Sequence, residues 1–485
     1  MHIHAIARLA TITLCSHSAI AQFVEQDIEI IHELKGLNAN DNFGANVCAV
    51  DDYNGDGAME FLVAASGDDT KAPNGGVVHL YDGRKGTIIR SHFGHIQNEA
   101  AGYVCDAGDV NNDGIVDYLF GTNAAKVYVF SGADGASLHT FTGIAGSQYG
   151  FRACGIGDIN NDGFGEVLVG AWSDDTIQTN QGKAFIYSGI DGSLIRTHNG
   201  ARRQGQFGHT VSLLGDLDLD GVPDYSVGAP GPWATSDRGH VFVYSGATGN
   251  LMYLPISAES TGLALASYQQ CQGFQNYNND GVPDFAMCDI GDLGIGNESG
   301  RHYRVDGATG TIIDSTVGYT ANSGFGGTPW TPAGNIGDIT GDCISDGLIA
   351  SWRSQVGATQ GGQAHLIDLA DGSILRTFTS NRAQAFLAGT LSGAGDANAD
   401  GIMDYILAAN GDNGNRGAVY VIAGRDHRTT PSADLTNDGL LDFFDVSAFL
   451  DAFAKNQAPA DFTDDGLFDF FDVSAFLDAF STGCP

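Results

Sequence analysis

The chain has 485 residues, with 58 acidic against 22 basic side chains and a net charge of −36. That balance excludes nucleic acid and anionic membrane surfaces as partners, because both are held by a basic patch. It does not describe a disordered chain either: 42% of the residues are apolar, and the acids recur at fixed positions.

Residues 1–21 read as a secretory signal peptide. His2, His4 and Arg8 give a weakly basic start, Leu9 to Leu14 is a short apolar run, and Ala19-Ile20-Ala21 is a cleavage site. The run is too short to span a bilayer and no later one approaches a span, so the expectation is a secreted chain with no membrane insertion. Of the cysteines that follow, Cys48, Cys105 and Cys154 each stand four residues before an acidic loop. Equivalent positions in successive repeats would make them neighbours, either as buried thiols or as an inter-repeat disulfide. No CxxC pair suggests a zinc or redox motif.

Ile28 to His32 reads as a strand standing alone before the first repeat. From Asp52 onward the pattern Asp-x-Asn/Asp-x-Asp-Gly-x-x-Asp/Glu recurs at intervals of 49 to 62 residues. It sets oxygen donors at alternate positions around a glycine turn, as a hard cation such as Ca2+ requires. The donor sets are Asp52, Asn54, Asp56 and Glu60; Asp109, Asn111, Asp113 and Asp117; Asp158, Asn160, Asp162 and Glu166; and Asp216, Asp218, Asp220 and Asp224. The seventh is Asp396, Asn398, Asp400 and Asp404. Repeat five keeps Asn278, Asp280 and Asp284 but has Asn276 in first place. Repeat six, beginning at Asp338, has Thr340 as a weaker donor and Cys343 at the turn glycine, so cation binding is not expected there.

Each repeat carries the same order of signals. An aromatic-Gly pair (Phe43-Gly44, Tyr149-Gly150, Phe207-Gly208, Phe325-Gly326) precedes a short strand, the acidic loop and an apolar strand. A third strand such as Val77 to Tyr81 and a fourth such as Thr87 to Ile89 follow. Four strands joined by hairpins make one propeller blade, and seven loops make seven blades. The seventh repeat lacks a fourth strand, which Ile28 to His32 is expected to supply, closing the ring and removing its open edges.

Over residues 23 to about 425 these repeats resemble the FG-GAP repeats of integrin alpha-chain propellers. The resemblance implies that first strands line a central channel and that calcium loops join strands one and two on one face. It also implies that the opposite face takes ligands. Trp172, Trp233 and Trp352 follow second strands and are expected on that face, as ligand-binding residues for an extracellular protein or polysaccharide. Packing between blades is the competing reading for these rings.

Residues 426–433 read as a linker. Beyond it the chain repeats every 27 residues, with DFFDVSAFLDAF at 442–453 and again at 469–480. The donors of the two loops would be Asp434, Thr436, Asp438, Asp442 and Asp445, then Asp461, Thr463, Asp465, Asp469 and Asp472. Val446, Phe449, Leu450 and Phe453 form an apolar helical stripe. Residues 434–485 resemble a type I dockerin, a small α-helical module of two EF-hand-like calcium loops, which implies a cohesin-like or cell-surface partner. Phe443-Phe444 and Phe470-Phe471 stand where that family places recognition residues; as large apolar rings they also suit the core of so small a module.

The expected architecture is an all-β, seven-bladed β-propeller spanning 22–425 with this α-helical tail. Propeller and tail consume nearly the whole mature chain, and HExxH, GxSxG and P-loop motifs are absent. The reading is a non-catalytic adhesion or ligand-binding protein. The alternative is a glycan-cleaving propeller enzyme, for which Arg152, Arg202 and Arg203 are the cluster to inspect.

Overall fold

The computed structural model describes residues 23–425 apart from 232–238, 258–271, 276–277, 279, 290–298, 319–322, 326–333, 341–343 and 345. In the C-terminal segment it describes residues 427, 433, 435, 443–463 and 466–482. The leader reading of residues 1–21 lies outside the described residues.

Strand character changes with position in the repeat. Second strands such as Phe61–Ala65 and Val167–Ala171 are apolar or small throughout and buried at every residue. They therefore have a blade on each side. Third strands such as Lys126–Phe130 and Lys183–Tyr187 alternate buried and half-buried residues. Fourth strands such as Ile88–Phe93 and Leu194–Asn199 carry many exposed residues and form the outer edges.

Among the described residues the strands form seven four-stranded antiparallel sheets. Six sheets take their strands in sequence order; the seventh combines Leu387–Gly395, Asp404–Ala409 and Ala418–Ile422 with Ile30–Lys35 from the start of the chain. The closing strand begins two residues later than the sequence suggested, pairing Ile30 with Ile422 and Lys35 with Ala418. The fold is a seven-bladed β-propeller, with the first strands of neighbouring blades side by side at the centre.

The apolar core lies in the seams between blades. One cluster joins Phe43, Phe61 and Val77 of blade one to Ala394, Ile406 and Val419 of blade seven. Another joins Ile156 and Leu168 of blade three to Phe207, Tyr225 and Val227 of blade four. A backbone bond repeats at these seams. The Phe207 N–H donates to the Gln181 carbonyl at 3.1 Å, Ala101 to Gly75 at 3.0 Å, and Phe325 to Ser299 at 3.0 Å. Leu387 donates to Gly361 at 2.7 Å and, across the closure, Phe43 to Arg416 at 3.2 Å. The aromatic-Gly pairs are thus seam pieces. Ala101-Gly102 and Leu387-Ala388 fill the same slot in blades two and seven without an aromatic ring, and so escape a search for one.

The glycine of the pair is fixed by backbone geometry. Gly208 sits at φ +86°, and a Cβ there would lie 2.1 Å from the Lys183 carbonyl oxygen of the preceding blade. We expect Gly208→Ala to cost about 3 kcal/mol or more. Urea unfolding checks this, and a wild-type midpoint would mean that the seam is loose.

Side chains of the fourth strands clasp the next blade. Arg90 donates to the carbonyls of Gly132 and Ala133, each at 2.8 Å, and Arg196 donates to that of Gly246 at 3.1 Å. His139 Nε2 lies 2.6 Å from the Gly189 carbonyl, and His32 Nε2 lies 3.0 Å from that of Gly83. His32 belongs to the closing strand, so blade seven grips blade one as blade two grips blade three.

In the tail, the repeated dodecapeptides form the helices Phe443–Ala454 and Phe470–Thr482. Phe449 stacks on Phe476 with ring centroids 4.1 Å apart, and Phe462 meets both edge-on. Phe453, Phe468 and Phe480 pack around them. Two expectations change here. Phe443, Phe444, Phe470 and Phe471 are 64–75% exposed and do not fill the core, and Leu450, expected in the buried stripe, is 58% exposed. The core is narrow because the stacked pair and Phe462 already fill the space between two short helices.

Candidate cation loops and the facing rim

Each acidic loop joins the first and second strands of its blade. In blade two the Asp109 carboxylate accepts the backbone N–H groups of Asp113 (3.1 Å) and Gly114 (2.9 Å). Asn111 Oδ1 accepts the Asp113 N–H at 2.9 Å, and Asp113 Oδ1 accepts that of Ile115 at 2.9 Å. Asp158, Asn160 and Asp162 repeat this set in blade three, and Asp396, Asn398 and Asp400 in blade seven. Asp216, Asp218 and Asp220 do so in blade four, while Asp52 and Asp56 hold the corresponding turn in blade one. Asn54 there donates to Glu60 at 2.5 Å.

Two left-handed residues curl the loop. The fourth position has φ 58° in Asn112, Asn161 and Leu219 and 66° in Ala399. The sixth is glycine at +82° in Gly114, +90° in Gly163, +87° in Gly221 and +81° in Gly401. Asparagine tolerates that region and glycine suits it; the leucine and alanine bear strain.

The ninth position is the anchor. Glu60, Asp117, Glu166, Asp224, Asp284, Asp346 and Asp404 are all fully buried. Asp117 accepts the N–H of Val110 at 2.9 Å and of Gly132, in the turn between strands three and four, at 3.0 Å. Asp224 and Asp404 do the same with Leu217 and Gly246, and with Ala397 and Gly424. The turn between strands three and four therefore lies on the same rim as the loop. Burial pushes these carboxyls up, with the neighbouring loop carboxylates adding to the effect: Asp117 and Asp224 to about 6, Glu60 and Glu166 to about 7. Asp404 is likewise raised to about 6 by burial. Buried negative charge beside further carboxylates is the electrostatic condition that a cation relieves. Asp216, Asp218 and Asp224 each bring an oxygen within 4.8 Å of the others. An all-oxygen set with this charge fits a hard divalent cation.

The degraded loops keep part of this arrangement. In blade five Asn278 and Asp280 make the turn, and Asp284 accepts the Gly307 N–H at 2.8 Å; Asn276 lies outside the described residues. In blade six Asp346 accepts the N–H groups of Ile339 and Thr340, so the anchor survives while Cys343 lies outside the described residues. In the second tail loop Asp472 accepts the N–H groups of Thr463 and Asp469, and Asp461 that of Gly466. Asp445 is fully buried in the first tail helix. Asp434, Asp438, Asp442 and Asp465 lie outside the described residues.

The opposite rim carries the loops between strands two and three. Asp68 and Asp174 cap their own loops through Thr70 and Thr176, and Asp412 pairs with Arg382 at 2.6 Å. Trp172 is half-buried, its ring 5.5 Å from that of His209 in blade four and 6.1 Å from Phe151. Trp352 lies 5.9 Å from Phe386 of blade seven, with the Arg353 guanidinium 4.3 Å from its ring. Both indole N–H groups are buried with no acceptor. Trp233 lies outside the described residues. The three arginines serve different places. Arg152 is in the first strand of blade three, whereas Arg202 and Arg203 lie on the exposed connection into blade four, with Arg202 against His240.

No protein-family model matches the chain. It is 29% identical to integrin alpha-5 of Xenopus laevis over 216 residues, which is 43% of this chain and 16% of that protein. It is 29% identical to integrin alpha-8 of Gallus gallus over 261 residues, 53% of this chain and 20% of that protein. The similarity thus spans a fifth or less of the integrin chains, alongside a propeller of seven blades. Among the described residues no helix is long and apolar enough to cross a membrane.

Proposed function

We propose that this chain is a secreted, non-catalytic propeller that binds an extracellular protein or polysaccharide, with Ca2+ organising one rim and the facing rim presenting the ligand surface. The observation that carries the reading is the repeated loop: five complete donor sets, each closed by a buried carboxylate whose charge calls for a cation. Similarity to integrin alpha chains supports the extracellular setting. In each complete loop the first, third, fifth and ninth residues would hold the ion, which would supply charge neutralisation and rigidity rather than chemistry. Trp172 and Trp352, both half-buried, would contribute the open parts of their rings to the ligand. The tail would attach the propeller to a cohesin-like or cell-surface partner through its exposed phenylalanine pairs.

Co-sedimentation of the full chain with insoluble polysaccharides and immobilised matrix proteins, in calcium and in EDTA, tests this. The expected result is saturable, calcium-dependent pelleting without released sugar, reduced at least tenfold in a Trp172→Ala, Trp352→Ala variant that melts like wild type. Soluble sugar in the supernatant would replace this reading with the glycan-cleaving one. Binding undiminished in the folded variant would move the ligand off this rim.

A further inference from the structure

Cys48 and Cys105 occupy equivalent places on the first strands of blades one and two, Phe43–Ala49 and Tyr103–Gly108. Cys48 pairs with Leu62 and Cys105 with Leu119 on the respective second strands. The two thiols are free and within hydrogen-bonding reach of one another. The next residue, Asp106, is half-buried like the two cysteines and brings a carboxylate oxygen within 4.8 Å of both sulfurs. All three donor atoms lie within 4.8 Å of one another. None of these residues belongs to an acidic loop.

We propose that Cys48, Cys105 and Asp106 form a second kind of metal site, bridging blades one and two at the central channel and taking a thiophilic divalent cation of the zinc class. Zinc holds thiolate sulfur at about 2.3 Å and carboxylate oxygen at about 2.0–2.2 Å in a tetrahedron. Neighbouring donors then stand roughly 3.3–3.8 Å apart, so the present group needs to contract by at most about 1.5 Å. Calcium is the wrong ion here, since it takes six to eight oxygens and no sulfur. Binding releases the two thiol protons to solvent and makes two metal–sulfur bonds with no change of oxidation state. Two thiolates and a carboxylate around a divalent ion leave one net negative charge. The Arg152 guanidinium on the first strand of blade three is close enough to Cys105 to interact with its charge and offsets that remainder. Three protein ligands leave a fourth position for water on the channel side. Cys154, the third thiol of the series, is buried and lies outside the donor group.

The test titrates Co2+ into the reduced, calcium-saturated full chain and follows the thiolate-to-cobalt charge-transfer band and the visible bands of tetrahedral cobalt. The expected result is one equivalent bound with two-thiolate intensity and displaced by Zn2+. Cys48→Ala and Cys105→Ala should lose the band, Asp106→Asn should weaken binding at least tenfold, and Cys154→Ala should keep the band unchanged. A folded, reduced wild type without the band would overturn the proposal, as would a band that survives loss of both Cys48 and Cys105. Should the cysteine variants fail to fold, alkylation of wild type decides. Zinc should slow labelling of Cys48 and Cys105 at least tenfold and leave Cys154 unchanged, and equal labelling with and without zinc would overturn the site.

Discussion

Removing divalent cations with EDTA should lower the melting temperature of the full chain by more than about 10 °C relative to 1 mM calcium. Each complete loop is held mainly by N–H groups converging on its own carboxylates, around two left-handed residues. Without a counter-charge, the buried ninth residue is left with two further carboxylates of its own loop raising its charge cost, as Asp113 and Asp109 do for Asp117 and Asp218 and Asp216 for Asp224. A site saturated a thousandfold above its dissociation constant contributes about 4 kcal/mol, and five such sites rival the whole stability of an ordinary domain. The position-five variant Asp113→Ala should remove one bound calcium by equilibrium dialysis and lower the melt by a fraction of the EDTA effect. Superimposable melts in calcium and EDTA would remove the cation from the folding argument altogether.

Deleting the closing strand should be nearly as damaging. A chain beginning at residue 37 loses the ladder from Ile30–Lys35 to Ala418–Ile422, the packing of Phe23, Ile28, Ile31 and Leu34, and the His32 clasp on blade one. The apolar contacts alone amount to roughly 5 kcal/mol, given partial burial of most of these side chains. The exposed edge of Ala418–Ile422, buried at every residue in the closed ring, becomes a template for pairing with another chain. Light scattering should show soluble oligomers, and unfolding should lose its single cooperative transition. A synthetic peptide covering residues 23–36 should restore the monomer. A truncated chain that stays monomeric with an unchanged melt would assign closure to another contact.

The blade count and the closing strand were legible because both follow from patterns that physics forces on the chain: glycine at fixed left-handed positions, acids at alternate positions, and apolar runs at doubly covered strands. Seam positions were only half legible. Aromatic rings signal the slot in blades one, three, four and six, but Ala101 and Leu387 fill it through a backbone N–H, which any residue except proline provides. The tail shows the opposite failure. An apolar repeat announces helices, yet composition does not say which rings turn inward, and Phe449, Phe462 and Phe476 fill the core while Phe443, Phe444, Phe470 and Phe471 do not. The cysteine positions were visible as equivalent, but the approach of Asp106 to both sulfurs is a property of how two first strands stand side by side.

The strand that leads toward the tail, Ala418–Ile422, is an interior strand of its sheet, hydrogen-bonded to Asp404–Ala409 on one side and to the chain's own beginning on the other.

 Both ladders, to Asp404–Ala409 and to Ile30–Lys35, must slide before that strand can leave. A pull applied through the C-terminal segment is therefore met by two sets of backbone bonds loaded together, and the first residues of the folded chain act as a mechanical lock on the last.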